Sequence, residues 1–176
     1  EQRPVLINYT YGGKRYEKVP DAYDVELAKE VESLAFSSWV PCKRIPYMHQ
    51  THQRNNLEAL GITHEHHLYT EKTLQIYSYL FSEAKKLPVG LKNRFMFLMS
   101  SCFNRTTRLV RYMAQHKEKN VGPLSGTLYF PPIFGEINVL DNIEARLNKM
   151  KNAYAEDNVS SFDNRLCIVS TQSTCD

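Results

Sequence analysis

Apolar and polar positions alternate along VLINYTYGGKRYEKV on both sides of Gly12-Gly13. That period of two, broken by a glycine pair, predicts a β-hairpin with a tight turn. From Pro20-Asp21 the period lengthens. Val25, Ala28, Val31 and Ala35 recur at helical spacing and predict a helix to about Phe36. WVPCKRIPYMHQTHQRNN then has neither period, so most of 37–69 reads as irregular. A second helix starts at Thr70, an N-cap residue type, with Leu74, Tyr77, Phe81 and Ala84 on one stripe. Lys85 and Lys86 suit its C-terminal end, and Pro88 stops it.

The next run, Leu91 to Met113, holds the helical period through Leu91, Phe95, Leu98, Cys102, Leu109 and Met113, which predicts a long third helix. Phe95, Phe97 and Phe103 are assigned to the core. KEKNVGPLSG reads as a loop. TLYFPPIF begins like a strand, but Pro131 and Pro132 confine it to an edge or end it. Asn138 caps a last helix marked by Leu140, Ile143, Leu147, Met150 and Tyr154. Leu166 to Val169 reads as a buried strand running into STQSTCD, and both ends of the chain are expected to be cuts within a longer one.

Composition changes this picture little. The 176 residues are 42% hydrophobic and 23% charged, enough for a domain with its own core. No apolar run approaches the length of a membrane span, and the first residues have no export pattern, so a cytoplasmic setting without membrane contact is expected. Cys42, Cys102, Cys167 and Cys175 form no C-x-x-C pair and read as reduced thiols.

Charge changes it more. The formal net charge is +3. Residues 85–119 hold Lys85, Lys86, Lys92, Arg94, Arg105, Arg108, Arg111, Lys117 and Lys119 against Glu118 alone, while the rest of the chain is neutral or acidic. A concentrated basic segment on a neutral body is the footprint of a polyanion. On a continuous helix Arg94, Ser101, Arg105 and Arg108 share one stripe, and Arg111, Lys117 and Lys119 continue past its end. These six cations are the candidate nucleic-acid contacts. Tyr9, Tyr11 and Tyr16 on the hairpin, and Tyr129 and Phe130 beside the glycine loop, are available for base stacking.

Other chemistry is thin. His64, His66 and His67 lie together in THEHHLYT, with His49 and His52 upstream, but nothing nearby completes a tetrahedral ligand set, so no metal site is expected. There is no G-x-S-x-G, H-E-x-x-H or P-loop, and no paired carboxylates suited to acid–base work. No catalytic residue is assigned.

Four strings, INYTYGGKRYEKVPD, GITHEHHLYTEKTL, GPLSGTLYFPP and IVSTQSTCD, resemble large bacterial adenine-specific DNA methyltransferases in the same order, over most of the chain. The resemblance implies a segment between the cofactor-binding part and the catalytic D-P-P-F or D-P-P-Y motif. Residues 1–165 would be an intermediate, DNA-contacting domain and 166–176 the start of the catalytic sheet. In such enzymes the target adenine is flipped out of the duplex. The D-P-P-aromatic turn then positions its amino group against S-adenosylmethionine. This chain has neither that turn nor a glycine-rich cofactor loop. The expectation is therefore an inactive piece that grips double-stranded DNA, touches cofactor at most through Ser173 and Asp176, and works with the remainder of the methyltransferase. Relatives often carry a Cys-x-x-Cys ribbon just upstream of the hairpin, a region this sequence does not include.

The fold expectation is α+β: an N-terminal hairpin, about four main helices and a few C-terminal strands. The competing expectation for function is a structural or protein-interaction domain whose basic segment is a solvated face. An RNA-directed methyltransferase fragment is a weaker third.

Overall fold

The computed structural model describes residues 3–47, 55–116 and 119–155. Among them are four helices and two small antiparallel sheets, a mixed α+β arrangement. Strands β1 (Ile7–Tyr11) and β2 (Lys14–Lys18) pair in the register Tyr9 opposite Tyr16 and Tyr11 opposite Lys14. Gly12 and Gly13 have φ of 56° and 75°, the two left-handed positions that a two-residue turn of this hand requires.

Helix α1 (Ala22–Ser33) begins at a reciprocal cap. The Asp24 N–H donates to Asp21 Oδ1 at 3.0 Å, and the Asp21 N–H donates to Asp24 Oδ2 at 2.9 Å. Lys18 Nζ reaches Asp24 at 2.7 Å and ties the hairpin to this helix. Val25, Ala28 and Val31 are half-buried, whereas Ala35 lies beyond the helix and is exposed. The described part of 37–69 is irregular apart from a 3-10 turn at Glu65–Leu68 and one bridge between Arg44 and His64.

Helix α2 (Glu71–Lys85) organises the core. Thr70 Oγ1 accepts the Thr73 N–H, and Leu74, Tyr77, Ser78 and Ala84 are buried along one stripe. Helix α1 packs on α2, α2 on α3 (Val89–Ser100), and α3 on α4 (Val139–Ala155). Tyr77, Ala84, Leu98, Met99, Cys102, Val139 and Ile143 form the main cluster. Ile45, Leu57 and Ile62 form a second, closed by Leu68, Leu128 and Phe130.

The long third helix is not formed. Helix α3 ends at Ser100, a 3-10 turn follows at Phe103–Thr106, and residues expected to be helical form β3 (Arg111–Tyr112), paired with β4 (Asn120–Val121). The cause is local competition for carbonyls. Ser100 Oγ donates to Phe97 O at 2.7 Å and Ser101 Oγ to Leu98 O at 2.7 Å. Thr106 Oγ1 bonds Phe103 O at 3.1 Å, and Thr107 Oγ1 bonds Asn104 O at 3.0 Å. A cluster of hydroxyls offers the backbone an alternative to the helix. Thr107 then turns extended, with ψ 160°.

Other expectations also change. Leu91 is exposed, and Phe97 is 69% exposed instead of being in the core. Phe97 lies on the side of α3 away from Met99, whereas Leu91 shares the face of Leu98 but sits in the first turn of the helix. Thr127 to Phe134 makes no strand, only a bridge between Phe134 and Arg111, since Pro131 and Pro132 have no N–H for a ladder. In α4, Asn138 Oδ1 accepts the Leu140 N–H at 3.0 Å and Ile143 is buried, but Leu140 is 55% exposed. The expected strand at Leu166 to Val169 lies outside the described residues. Cys42 and Cys102 are unpaired thiols. No helix among the described residues is long and apolar enough to cross a membrane.

Two leucine-sized positions test this packing. Met99→Ala, at a site with no exposure, should cost about 2–5 kcal/mol in urea denaturation. Leu140→Ala should stay within about 0.5 kcal/mol, although the sequence pattern ranks it with the core.

Candidate nucleic-acid interface

With α3 ending at Ser100, Arg94, Arg105 and Arg108 do not share a stripe. Arg94 is exposed on α3, and Arg105 is exposed on the 3-10 turn beyond it. Arg108 turns inward. Its Nη1 donates to His67 O at 3.1 Å, its own N–H donates to Leu68 O at 2.8 Å, and its guanidinium lies 5.7 Å from the ring centroids of both Phe130 and Phe134. Burial holds its pKa below the usual arginine value. Arg111 is half-buried on β3, with Nε donating to Gly122 O at 3.3 Å. Lys119 is ion-paired with Glu17 of the hairpin, and that hydrogen bond holds the ammonium pKa up. Lys117, Ser173 and Asp176 lie outside the described residues.

Arg108 is thus a structural side chain. It bridges the histidine turn to the segment carrying Phe130 and Phe134, a role its sequence position does not announce. The stripe needed an unbroken helix, and the serine–threonine cluster removes it.

What the fold does present is the hairpin. Alternation puts Tyr9, Tyr11, Lys14 and Tyr16 on one face, with Glu17 and Arg15 on the other. Tyr9 and Tyr16 stack at 5.4 Å with 21° between their planes, and Tyr11 is 76% exposed. Glu17, on the opposite face, takes Lys119, so the hairpin is fastened at both Lys18 and Glu17 while its tip stays in solvent. Lys14 and Arg15 at the tip escaped sequence reasoning because the basic and acidic side chains of residues 1–46 balance when that stretch is counted as a whole.

The histidines pack against one another. His66 and His67 rings are 4.2 Å apart, and His64 lies 5.5 Å from His66 and 5.6 Å from His67. His67 Nδ1 accepts the Thr63 N–H at 3.1 Å, and His64 Nδ1 pairs with Thr63 Oγ1 at 2.8 Å. His66 Nδ1 is buried with no hydrogen-bond partner among the described residues. No group of three His, Cys, Asp or Glu side chains among the described residues converges to hold a metal ion. Desolvation first, then the charges of His66, His64 and Arg108, lower the pKa of His67.

Both sheets among the described residues are two-stranded and antiparallel, so neither supplies the crevice at parallel strand ends in which doubly wound folds hold nucleotide cofactors.

No protein-family model matches the chain, no curated protein is significantly similar to it, and no solved structure is significantly similar in fold.

Two predictions follow the inward turn of Arg108. Arg108→Ala should destabilise the fold by about 1–3 kcal/mol, through lost cation–π contact and an unbonded His67 carbonyl. Arg94→Ala should leave the melting temperature unchanged, and thermal denaturation of both compares them. For His67, a folded pKa below the unfolded value means that the unfolded chain binds the extra proton more readily. Stability should therefore be full above the ordinary histidine value of 6.5 and fall as pH drops through and below it. His67→Asn, which keeps an acceptor for the Thr63 N–H, should flatten that acid limb in denaturation curves taken between neutral and mildly acidic pH.

Proposed function

We propose that the chain is the DNA-contacting region of an S-adenosylmethionine-dependent adenine methyltransferase, with methyl transfer carried out elsewhere in that enzyme. The methyltransferase part rests on the four sequence strings. The DNA-contacting part rests on one structural observation, the solvent-exposed hairpin. A two-stranded ribbon with neither face packed is marginal in water by itself. Here it keeps three tyrosines and a basic tip in solvent instead of spending them on the core. Tyrosine faces stack on bases and lysine and arginine neutralise phosphates, so this composition matches a nucleic acid with accessible bases. A methyltransferase that extrudes its target base produces such a substrate. Arg94, exposed on α3, and Arg105, exposed on the 3-10 turn beyond it, are the further phosphate contacts.

The competing reading is a protein-interaction domain. It draws on Lys86 and Lys119, each already paired with a carboxylate, which makes part of the basic segment a neutralised surface.

Anisotropy of a labelled duplex carrying one unpaired adenine separates the two readings. DNA contact by three or four cations should give log K falling against log salt with a slope of about −3 to −4. Lys14→Ala with Arg15→Ala should flatten the slope by about one to two units. Tyr11→Ala should weaken binding roughly tenfold at unchanged slope. Arg94→Ala with Arg105→Ala should flatten it separately. No binding at low salt, or an unchanged slope in the hairpin double variant, would sink the DNA reading in favour of a protein partner. Residues 1–176 alone should transfer no methyl group to DNA, and measurable adenine methylation by them would refute the division of labour.

A further inference from the structure

Away from the hairpin, the fold forms a half-open cavity of about 340 Å³ between the 37–41 segment, the 3-10 turn at Glu65 and helix α2. That is the size range of small-molecule sites. Its walls include Trp39, Tyr69, Tyr77, Phe81 and Phe103. The rings meet at steep angles: Trp39 to Phe81 at 71°, Tyr69 to Tyr77 at 76°, and Tyr77 to Phe103 at 82°. Steep angles between neighbours turn the ring faces in several directions, as the walls of a box, where parallel stacking would leave a slot.

Two features make the box a built one. The tryptophan segment is pinned by reciprocal bonds to a fully buried serine: Ser38 N–H donates to Ser78 Oγ at 2.6 Å, and Ser78 Oγ donates to Ser38 O at 3.0 Å. Tyr77 has its hydroxyl satisfied by Thr106 at 2.9 Å, so it meets the cavity as a ring without an unmet polar group. Against these apolar walls stands one ionisable acid. Glu65 is half-buried, lines the cavity, and has no hydrogen-bond or ion-pair partner for its carboxylate among the described residues. No lysine or arginine among the described residues lines the cavity.

Ring faces carry negative potential, and a carboxylate adds to it, so the aromatic and acidic part of the lining favours a cation, while Val40, Pro41, Leu68 and Leu74 favour one whose own surface is apolar. A metal ion is a poor match, because one carboxylate is the only charged ligand among the described residues that line the cavity. A hydrated ammonium is less well matched, since entry removes its water and offers, among the described side chains, the Glu65 carboxylate as the one charged acceptor for several N–H groups. A methylated ammonium loses little on leaving water and gains from each ring face.

We infer that the Trp39–Glu65–Tyr69–Phe81–Phe103 box binds an organic cation of the quaternary or methylated ammonium class. The aromatic rings supply the walls and Glu65 the counter-charge. This site is independent of the DNA reading and survives its failure.

Trp39 is the one tryptophan in the chain, so its emission reports on this cavity without a label. Choline and its uncharged isostere 3,3-dimethylbutan-1-ol have nearly the same shape, and titration of the whole chain with each isolates the charge. Choline should change Trp39 emission saturably and bind roughly tenfold more tightly than the alcohol. Glu65→Gln should erase most of that preference while leaving circular dichroism unchanged. Phe81→Leu should weaken choline more than the alcohol, since it removes a ring face and keeps apolar bulk. Equal affinity for the two isosteres, or no saturable response to choline on the order of tens of millimolar, would overturn the assignment. Retention of the full preference in Glu65→Gln would overturn the role given to the carboxylate.

Discussion

Burying Tyr77 creates an obligation on which much of the remaining structure depends. The ring fills the centre of the main cluster, but its hydroxyl goes with it, and a buried hydroxyl without a partner costs about 1–3 kcal/mol. Thr106 meets that need at 2.9 Å. Desolvation keeps the phenol protonated, pushing its pKa far above the usual tyrosine value. To deliver Thr106, the chain leaves the helix at Ser100 and tightens into a 3-10 turn.

The same departure decides the electrostatics of the surface. A continuous helix would have carried Arg94, Arg105 and Arg108 outward together. Instead the backbone of Arg108 is held to Leu68 and its side chain goes between two phenylalanine rings. One candidate for phosphate binding thereby becomes a cross-brace between the histidine turn and the proline-rich segment. Lys119 is spent in a comparable way, fastening the hairpin through Glu17. Positive charge that looks concentrated along the chain is dispersed in space, part structural and part free.

The tightened turn also shapes the cavity. Phe103 opens the 3-10 turn and lies against Tyr77 at 5.0 Å, while Ser78, one residue on in α2, pins the Trp39 segment from the other side. One stripe of α2 therefore serves core and cavity together. Its i, i+3 and i+4 spacing places Leu74, Tyr77, Ser78 and Phe81 on a continuous face. The hairpin owes little to any of this. It stands on its own glycine turn and two ion pairs, which lets it present tyrosines that a packed sheet would bury.

Elements whose cause is local were legible in the sequence. The glycine turn needs two left-handed residues, Asp21, Thr70 and Asn138 cap with their own side chains, and the α2 stripe follows from a period of 3.6. Even the end of α3 had a local signature in SSCFNRTT, hidden because apolar periodicity runs straight through it. What tertiary structure alone decided was which side of each element met another. Leu140 fits the helical pattern and Phe97 is a core-type aromatic, yet both face solvent, and Arg108 carries a charge yet goes inward, because burial depends on what packs opposite. The aromatic box draws its walls from positions 39 to 103, and no window of sequence holds them together. Periodicity states what a residue could bury, and only contact with distant chain determines whether it does.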